Sequence, residues 1–153
     1  MTDSNRTIAP DDRMVNRIIF VLSLLGLIMA IYVLQSFLRS SSIICLTGSG
    51  CEVVRKSAAA WPFGIPVPAV GAVGYTFLSV LALLRTIRDD RRLIMGILGM
   101  AAFGVVFVTW FTYTEIFVIR GICSWCVLSA VNMFVIFALT MMTVKKHRLL
   151  GFR

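Results

Sequence analysis

The chain has 153 residues, of which 59% are hydrophobic and only 14% are charged, and its mean hydropathy is +0.92. Soluble domains carry about 45–50% apolar and about 25% charged residues. The composition therefore excludes a water-soluble enzyme, a disordered tail and a nucleic-acid-binding module. The formal net charge of +8 does not indicate a nucleic-acid partner, because the basic residues lie between long apolar segments and not along one face.

Four apolar segments are long enough to cross a bilayer as helices, which takes about 20 residues each. They cover residues 18–38, 67–85, 93–119 and 122–144. Only helices or closed barrels satisfy their backbone groups in lipid, and none of the segments alternates as a barrel strand does. The sequence predicts an all-α polytopic membrane protein, with residues 1–153 forming a single domain built on a four-helix bundle.

The distribution of basic residues predicts the orientation of these spans. Eleven basic residues lie on one side of the membrane and four on the other, and the excess belongs in the cytoplasm. We therefore expect a cytoplasmic tail over residues 1–16, both termini in the cytoplasm and an outer loop over residues 39–64. Span one is too long for a signal peptide, so we expect a retained, multi-pass protein of the cell inner membrane. The eleven are Arg6, Arg13, Arg17, Arg85, Arg88, Arg91, Arg92, Lys145, Lys146, Arg148 and Arg153, and the four are Arg39, Arg55, Lys56 and Arg120.

All four cysteines fall on the predicted outer side. Cys45 and Cys51 flank Gly48-Ser49-Gly50 in the outer loop, whereas Cys123 and Cys126 form a Cys-x-x-Cys where span four begins. Disulfides persist in oxidising compartments such as the periplasm, and four cysteines allow three full pairings. A helix N-terminus favours a thiolate, and a glycine-rich loop lets its two sulfurs meet or separate.

Three interpretations of the cysteines remain open: two structural disulfides, a zinc site that uses all four sulfurs as ligands, and a thiol redox relay. A Cys-x-x-Cys disulfide closes so short a loop that it constrains little chain entropy. No second cluster of ligand residues supports zinc, and the single His147 lies on the cytoplasmic side. We favour the relay and predict no metal.

Three motifs around these cysteines occur in a characteristic order. They are Cys51-Glu52-Val53-Val54 with Ser57, then Gly64-Ile65-Pro66-Val67-Pro68 with Gly71 and Tyr75, then Tyr113, Phe117-Val118-Ile119 and Cys123-Ser124-Trp125-Cys126 with Ser129-Ala130. Together they resemble the bacterial homologues of vitamin K epoxide reductase, over about residues 14–144. The functionally related DsbB-type disulfide generators carry the Cys-x-x-Cys in the first outer loop. The reversed order here favours the vitamin K epoxide reductase arrangement.

The resemblance implies a membrane thiol-disulfide oxidoreductase that oxidises a thioredoxin-fold partner and passes two electrons to a membrane quinone, ubiquinone or menaquinone. Because the chain ends at Arg153, we expect that partner to be a separate periplasmic (DsbA-like) protein. Cys126 would face the quinone, Cys123 would exchange with Cys51, and Cys45 would be attacked by the reduced partner. The alternative is a non-catalytic four-span protein with structural disulfides.

The resemblance also separates this chain from the animal members of the family. Ser57 matches the family's loop serine near the quinone ring. The tyrosine that animal members place four residues after the last cysteine is Ala130 here, and their span-two asparagine falls on Val67. A plain membrane quinone is therefore a better candidate substrate than an epoxide.

Residues 52–60 predict a short interfacial helix near the mouth of the bundle, with Arg55 and Lys56 toward headgroups or water. The helix would either cover a quinone pocket or only lie on the membrane surface. Our candidates for quinone contact are Ser57, Trp61, Phe63, Tyr113 and Trp125, although aromatic residues also gather at membrane interfaces without contacting ligands.

Glu115 is an acidic residue near the outer end of span three. Acidic residues within membrane spans are candidates for function by default. Two roles remain open for Glu115, an ion pair with Arg120 and a proton relay.

Overall fold

The computed structural model describes residues 10–40, 44–46, 48–88 and 90–150. Residues 1–9 of the predicted cytoplasmic tail, and Arg153, lie outside these described residues. Within them, all regular structure is helical. The helices are α1 (Pro10–Arg39), α2 (Gly50–Lys56), α3 (Val67–Ile87), α4 (Arg91–Thr114) and α5 (Ser124–Leu150).

Four of these helices are long and apolar enough to cross a membrane, which confirms the predicted four-span, all-α architecture. The candidate spans are Asp12–Arg39, Val67–Ile87, Arg91–Ile119 and Ser124–Arg148. Helix α1 begins inside the segment predicted as a tail. Two short 3-10 turns, Ala58–Ala60 and Pro62–Gly64, join α2 to α3, and a π-helical turn, Glu115–Ile119, continues α4.

The helix ends follow from local sequence. Pro68 lies in the first turn of α3, where its missing N–H has no partner to lose. Asp90 caps α4, because its carboxylate accepts a hydrogen bond from the backbone N–H of Arg92 at 2.9 Å. The π turn ends at Arg120, which has a left-handed backbone with φ 55° and so reverses the chain toward α5.

The bundle is a ring in which α1 packs against α3 and α5, and α4 packs against α3 and α5. Tyr75 lies at its centre, and its hydroxyl is 3.0 Å from both the carbonyl and the hydroxyl oxygen of Ser129. A Cβ at Gly26 would lie 2.2 Å from the Tyr75 ring, so glycine is what lets α1 approach this tyrosine. Large apolar side chains are exposed along all four long helices, as expected for surfaces that face lipid.

One end of the bundle, the end where α1 begins, holds a network of polar side chains. Asp12 lies 3.5 Å from the Lys146 ammonium and 3.4 Å from His147 Nε2. Asn16 donates to the Ala82 carbonyl at 3.0 Å and to the Thr86 hydroxyl at 2.9 Å. Because successive spans run in opposite directions, this end also carries the basic residues that predict the cytoplasmic side. The four cysteines lie at the other end.

Candidate redox site

The outer cysteine pair is a disulfide. Cys45 is bonded to Cys51, with their Cα atoms 6.0 Å apart, which selects one of the three pairings that the sequence leaves open. Cys51 is buried in the first turn of α2. A Cβ at Gly50 would lie 2.2 Å from the Ile122 carbonyl oxygen. Gly50 therefore allows α2 to contact the segment that leads into α5. The sequence predicted that the glycines make the loop flexible, and the structure adds that this glycine is needed for close packing.

The inner pair consists of two free thiols, Cys123 and Cys126. The sulfur of Cys123 lies 3.6 Å from the sulfur of Cys51, so the two pairs meet inside the protein. The hydrogen bond between the two inner side chains lowers the pKa of the Cys123 thiol. Cys123 is thus the inner sulfur nearest the disulfide and one that ionises more readily than an ordinary cysteine. With Cys45 and Cys51 bonded to each other, a zinc site of four thiolates does not exist in this state.

The outer loop is held against the start of α5. Trp125 Nε1 donates to the Ile44 carbonyl at 2.9 Å, and its ring packs against Tyr32 of α1 with centroids 5.1 Å apart. The Cys45 sulfur lies 3.6 Å from the Ser124 hydroxyl. These contacts place the outer disulfide directly over the inner pair, so exchange between them needs no large swing of the loop.

The predicted short helix is present as α2 and the 3-10 turn that follows it, but its basic residues differ from the expectation. Lys56 is exposed as expected, whereas the Arg55 side chain is only 11% exposed and pairs with Glu52. The hydrogen bond from Arg55 lowers the pKa of the Glu52 carboxyl. Trp61 Nε1 donates to the Arg55 carbonyl at 3.1 Å, so Arg55 belongs to a local network that holds the loop together.

A cavity of about 860 Å³, open mouth included, lies between the four long helices beside Cys126. Its walls are mainly apolar, as is typical of sites for flat organic ligands. Tyr75, Thr112 and Ser129 add hydroxyl groups to this lining. Apolar and sulfur-bearing lining residues include Val33, Val67, Met100, Phe107, Phe111 and Cys126.

Of the five residues predicted to contact a quinone, Trp125 lines this cavity. Ser57 caps the 3-10 turn after α2 by accepting from Ala59 N at 3.3 Å, and the Trp61 ring packs on Phe37 with centroids 5.7 Å apart. Quinone contact by Ser57 and Trp61, which do not line the cavity, stays a prediction.

The other two predicted contacts do not line the cavity either. Phe63 is fully exposed and has a left-handed backbone with φ 56°, which is rare for a bulky residue. Tyr113 is 59% exposed and packs on Phe117 with ring centroids 4.6 Å apart. Both lie at the surface of the described chain, and their contact with a quinone also stays a prediction.

Tyr75 and Ser129 line the cavity although sequence reasoning did not name them as site residues. The signal for Ser129 was available, because residues three apart share a face of a helix and Ser129 follows Cys126 by three. For Tyr75 the sequence offered only its position in a motif. Its place at the centre of the bundle depends on the close approach of α1 at Gly26.

Glu115 lies beside the inner cysteines. Its side chain is fully buried, and neither carboxylate oxygen makes a hydrogen bond of ordinary geometry within the described part of the chain. The Cys126 thiol and the Cys123 backbone N–H are the donors that interact with the carboxylate. Its carboxylate and the sulfurs of Cys123 and Cys126 all lie within 4.8 Å of one another. Within the described residues the carboxylate does not pair with Arg120, which is exposed at the end of the π turn. Of the two roles left open for Glu115, the ion pair is wrong.

Comparison with known proteins agrees with this geometry. A sequence model described as the vitamin K epoxide reductase family matches residues 17–141. The matched range contains all four cysteines, the short helix α2 and most of each membrane helix.

Proposed function

The chain belongs to the vitamin K epoxide reductase family, and on that premise we propose that it oxidises a separate periplasmic thioredoxin-fold (DsbA-like) protein and reduces a membrane quinone, ubiquinone or menaquinone. Family membership, four apolar helices and the Cys45–Cys51 disulfide give it a redox role in a multi-pass membrane protein. The observation that carries the finer proposal is the 3.6 Å separation between the sulfurs of Cys51 and Cys123.

The first step is oxidation of the partner. A partner thiolate attacks Cys45, which forms a mixed disulfide and releases Cys51 as a thiolate. The second partner thiol then attacks the mixed disulfide, which releases Cys45 and leaves the partner oxidised. The loop position of Cys45, half-buried where Cys51 is buried, supports Cys45 as the sulfur that the partner reaches.

The second step moves the electrons inward. Cys51 attacks Cys123 of an inner disulfide and releases Cys126, after which Cys45 attacks Cys51 and releases Cys123. The outer disulfide is restored and the inner pair becomes a dithiol. This is the combination in the structure, with Cys45–Cys51 bonded and the other two cysteines free.

In the third step the inner dithiol becomes a disulfide and gives up two electrons and two protons. A quinone bound in the cavity would supply the two-electron acceptor. The apolar cavity supports this assignment, because Cys126 lies on its wall and a lipid-soluble ring needs an apolar site. The burial of Glu115 next to both sulfurs supports a role for its carboxyl group in exchanging a proton with the pair.

The test is an anaerobic reaction of the purified full chain with a reduced thioredoxin-fold protein and a short-chain ubiquinone or menaquinone. We expect quinol formation and partner oxidation in equal amounts, and the loss of both when any one of the four cysteines becomes serine. Ser79→Ala, which removes a buried hydroxyl on α3, is the control and should retain the activity. Quinol formation that survives Cys126→Ser would contradict the proposal.

The alternative of a non-catalytic protein with structural disulfides predicts a different outcome. Such a protein would lose stability in the cysteine variants and would leave disulfide formation by its partner unchanged. The free thiols at Cys123 and Cys126 favour the redox function, because a structural inner disulfide would be bonded.

A further inference from the structure

Three ligand-type side chains converge next to the cavity. The Glu115 carboxylate and the thiols of Cys123 and Cys126 lie within 4.8 Å of one another. Glu115 and Cys123 are buried. Within the described residues neither Glu115 oxygen makes a hydrogen bond of ordinary geometry, although the Cys126 thiol and the Cys123 backbone N–H interact with the carboxylate. An ionised carboxylate that is buried in this way is costly unless a cation approaches it.

The spacing of these atoms suits a small divalent ion. Zn²⁺ binds thiolates at about 2.3 Å and carboxylates at about 2.0–2.2 Å, so tetrahedral ligand atoms lie about 3.4–3.8 Å apart. The present spacing, with the three ligand atoms within 4.8 Å of one another, is wider than that of a bound ion by about 1 Å. Thiolates together with a carboxylate are a ligand set that zinc accepts.

The charge of the loaded cluster is small. Zn²⁺ would displace the protons of the ligands, and its two positive charges would offset two of the three negative charges of two thiolates and one carboxylate. The start of α5, with its partial positive charge, lies at the two cysteines and favours that residual negative charge.

We propose that Glu115, Cys123 and Cys126 form a Zn²⁺ site that exists only while the inner pair is reduced. The proposal departs from our sequence prediction of no metal and from the four-cysteine zinc alternative, because it recruits a carboxylate that neither considered. The fourth position would open toward the cavity, since Cys126 lies on its wall. Zn²⁺ bound there would hold the inner sulfurs as thiolates, and oxidation of the pair to a disulfide would release the ion.

The direct test measures metal binding without quinone or partner protein, so its result does not depend on the proposed function. Co²⁺ is added anaerobically to the purified full chain, whose outer disulfide is intact and whose inner thiols are free. We expect one Co²⁺ per chain, a thiolate-to-cobalt charge-transfer band in the near ultraviolet, and displacement of that band by Zn²⁺. Oxidising the inner pair should abolish the band, and a chain that gives no band when reduced would overturn the site.

Glu115→Gln tests the carboxylate ligand with nearly the same side-chain shape. We expect Co²⁺ and Zn²⁺ affinity to fall by at least about tenfold, since loss of even an outer-shell partner of a metal ligand costs about 10–100-fold. Thr114→Val is the matched control, because it removes a neighbouring buried hydroxyl that donates to the Trp110 carbonyl of its own helix, and it should bind metal as the parent does. Unchanged affinity in Glu115→Gln would show that Glu115 is not a ligand.

A measurement on the unmutated chain keeps the proposal testable if a variant fails to fold. Zinc K-edge absorption should give two sulfur neighbours at about 2.3 Å and at least one oxygen neighbour. Four sulfur neighbours, or none, would overturn the assignment. If the proposed function also holds, added Zn²⁺ should slow quinone reduction in the parent more than in Glu115→Gln. This activity measurement is the one test of the zinc site that rests on the proposed function.

Discussion

The two ends of the bundle treat buried polar groups in opposite ways. At the end where α1 begins, Asp12 pairs with Lys146 and His147, and the Asn16 amide has two acceptors. At the cysteine end, Glu115 is buried, and neither of its carboxylate oxygens makes a hydrogen bond of ordinary geometry within the described residues. A buried polar group without a partner costs free energy. The comparison indicates that one end is arranged for stability, whereas the other retains a costly group next to reactive sulfurs.

Substitution of Gly50, the residue before Cys51, is expected to have the largest effect on the reaction at the cysteine end. In Gly50→Ala, the new methyl group would lie 2.2 Å from the Ile122 carbonyl oxygen, so α2 must move and carry Cys51 away from Cys123. A displacement of about 1 Å can cost about 100-fold in rate, and we expect partner oxidation with quinone to slow by about that factor. The measurement is steady-state quinol formation with reduced partner.

Gly99→Ala provides the control for that substitution. Gly99 lies within α4, where an added Cβ meets no atom within 4 Å, and alanine favours a helix. We expect its rate to equal that of the parent. A Gly50→Ala protein as fast as Gly99→Ala would mean that exchange does not depend on the close approach of α2.

Replacement of Asn16, at the end where α1 begins, should lower the stability of the fold without changing the activity. Asn16→Ala removes the hydrogen bonds to the Ala82 carbonyl and the Thr86 hydroxyl, and we expect the free energy of unfolding to fall by about 1–2 kcal/mol. Activity per folded molecule should not change. Denaturant unfolding in micelles, followed by helical circular dichroism, measures the loss.

The matching control for Asn16→Ala removes a polar side-chain group from a helix surface that faces lipid. Thr76 is exposed and donates to the Ala72 carbonyl of its own helix, so Thr76→Val should alter the free energy of unfolding by no more than about 0.5 kcal/mol. If Asn16→Ala instead lowered the rate of quinol formation while leaving stability unchanged, the assignment of the two ends would be reversed.

Sequence patterns predicted the spans well because membrane helices are specified by length and hydropathy alone. They did not choose among the cysteine pairings, since the Gly48-Ser49-Gly50 turn permits several and the choice depends on how α2 meets the segment before α5. Arg55 was expected to face headgroups or water, yet it lies over Glu52 and is largely buried. That outcome depends on the competition between a neighbouring carboxylate and solvent, which composition does not reveal.

The π-helical turn explains why the surroundings of Glu115 were not predictable. An α-helical period through span three would continue to Ile119, but the wider turn at Glu115–Ile119 shifts the direction of every side chain within it. π turns are rare and often occur at functional sites. The sequence therefore located an acidic residue near the cysteines, while its burial against both inner sulfurs required the three-dimensional path of the chain.

The prediction with the smallest expected effect tests whether the buried Glu115 carboxylate destabilises the fold. Glu115→Gln replaces a buried carboxylate with an uncharged group of nearly equal volume, so in metal-free buffer we expect unfolding to become less favourable by about 1 kcal/mol. For a chain of this length, that corresponds to a rise in Tm of about 2–4 °C. Thr114→Val, which removes a hydroxyl that donates to the Trp110 carbonyl of its own helix, should not produce this rise. A lower Tm in Glu115→Gln would mean that the carboxylate has a stabilising partner, and the contrast between the two ends would then lose its basis. A higher Tm combined with weaker Zn²⁺ binding in the same variant would mean that the fold tolerates an unfavourable carboxylate at the position where the reduced sulfurs bind a cation.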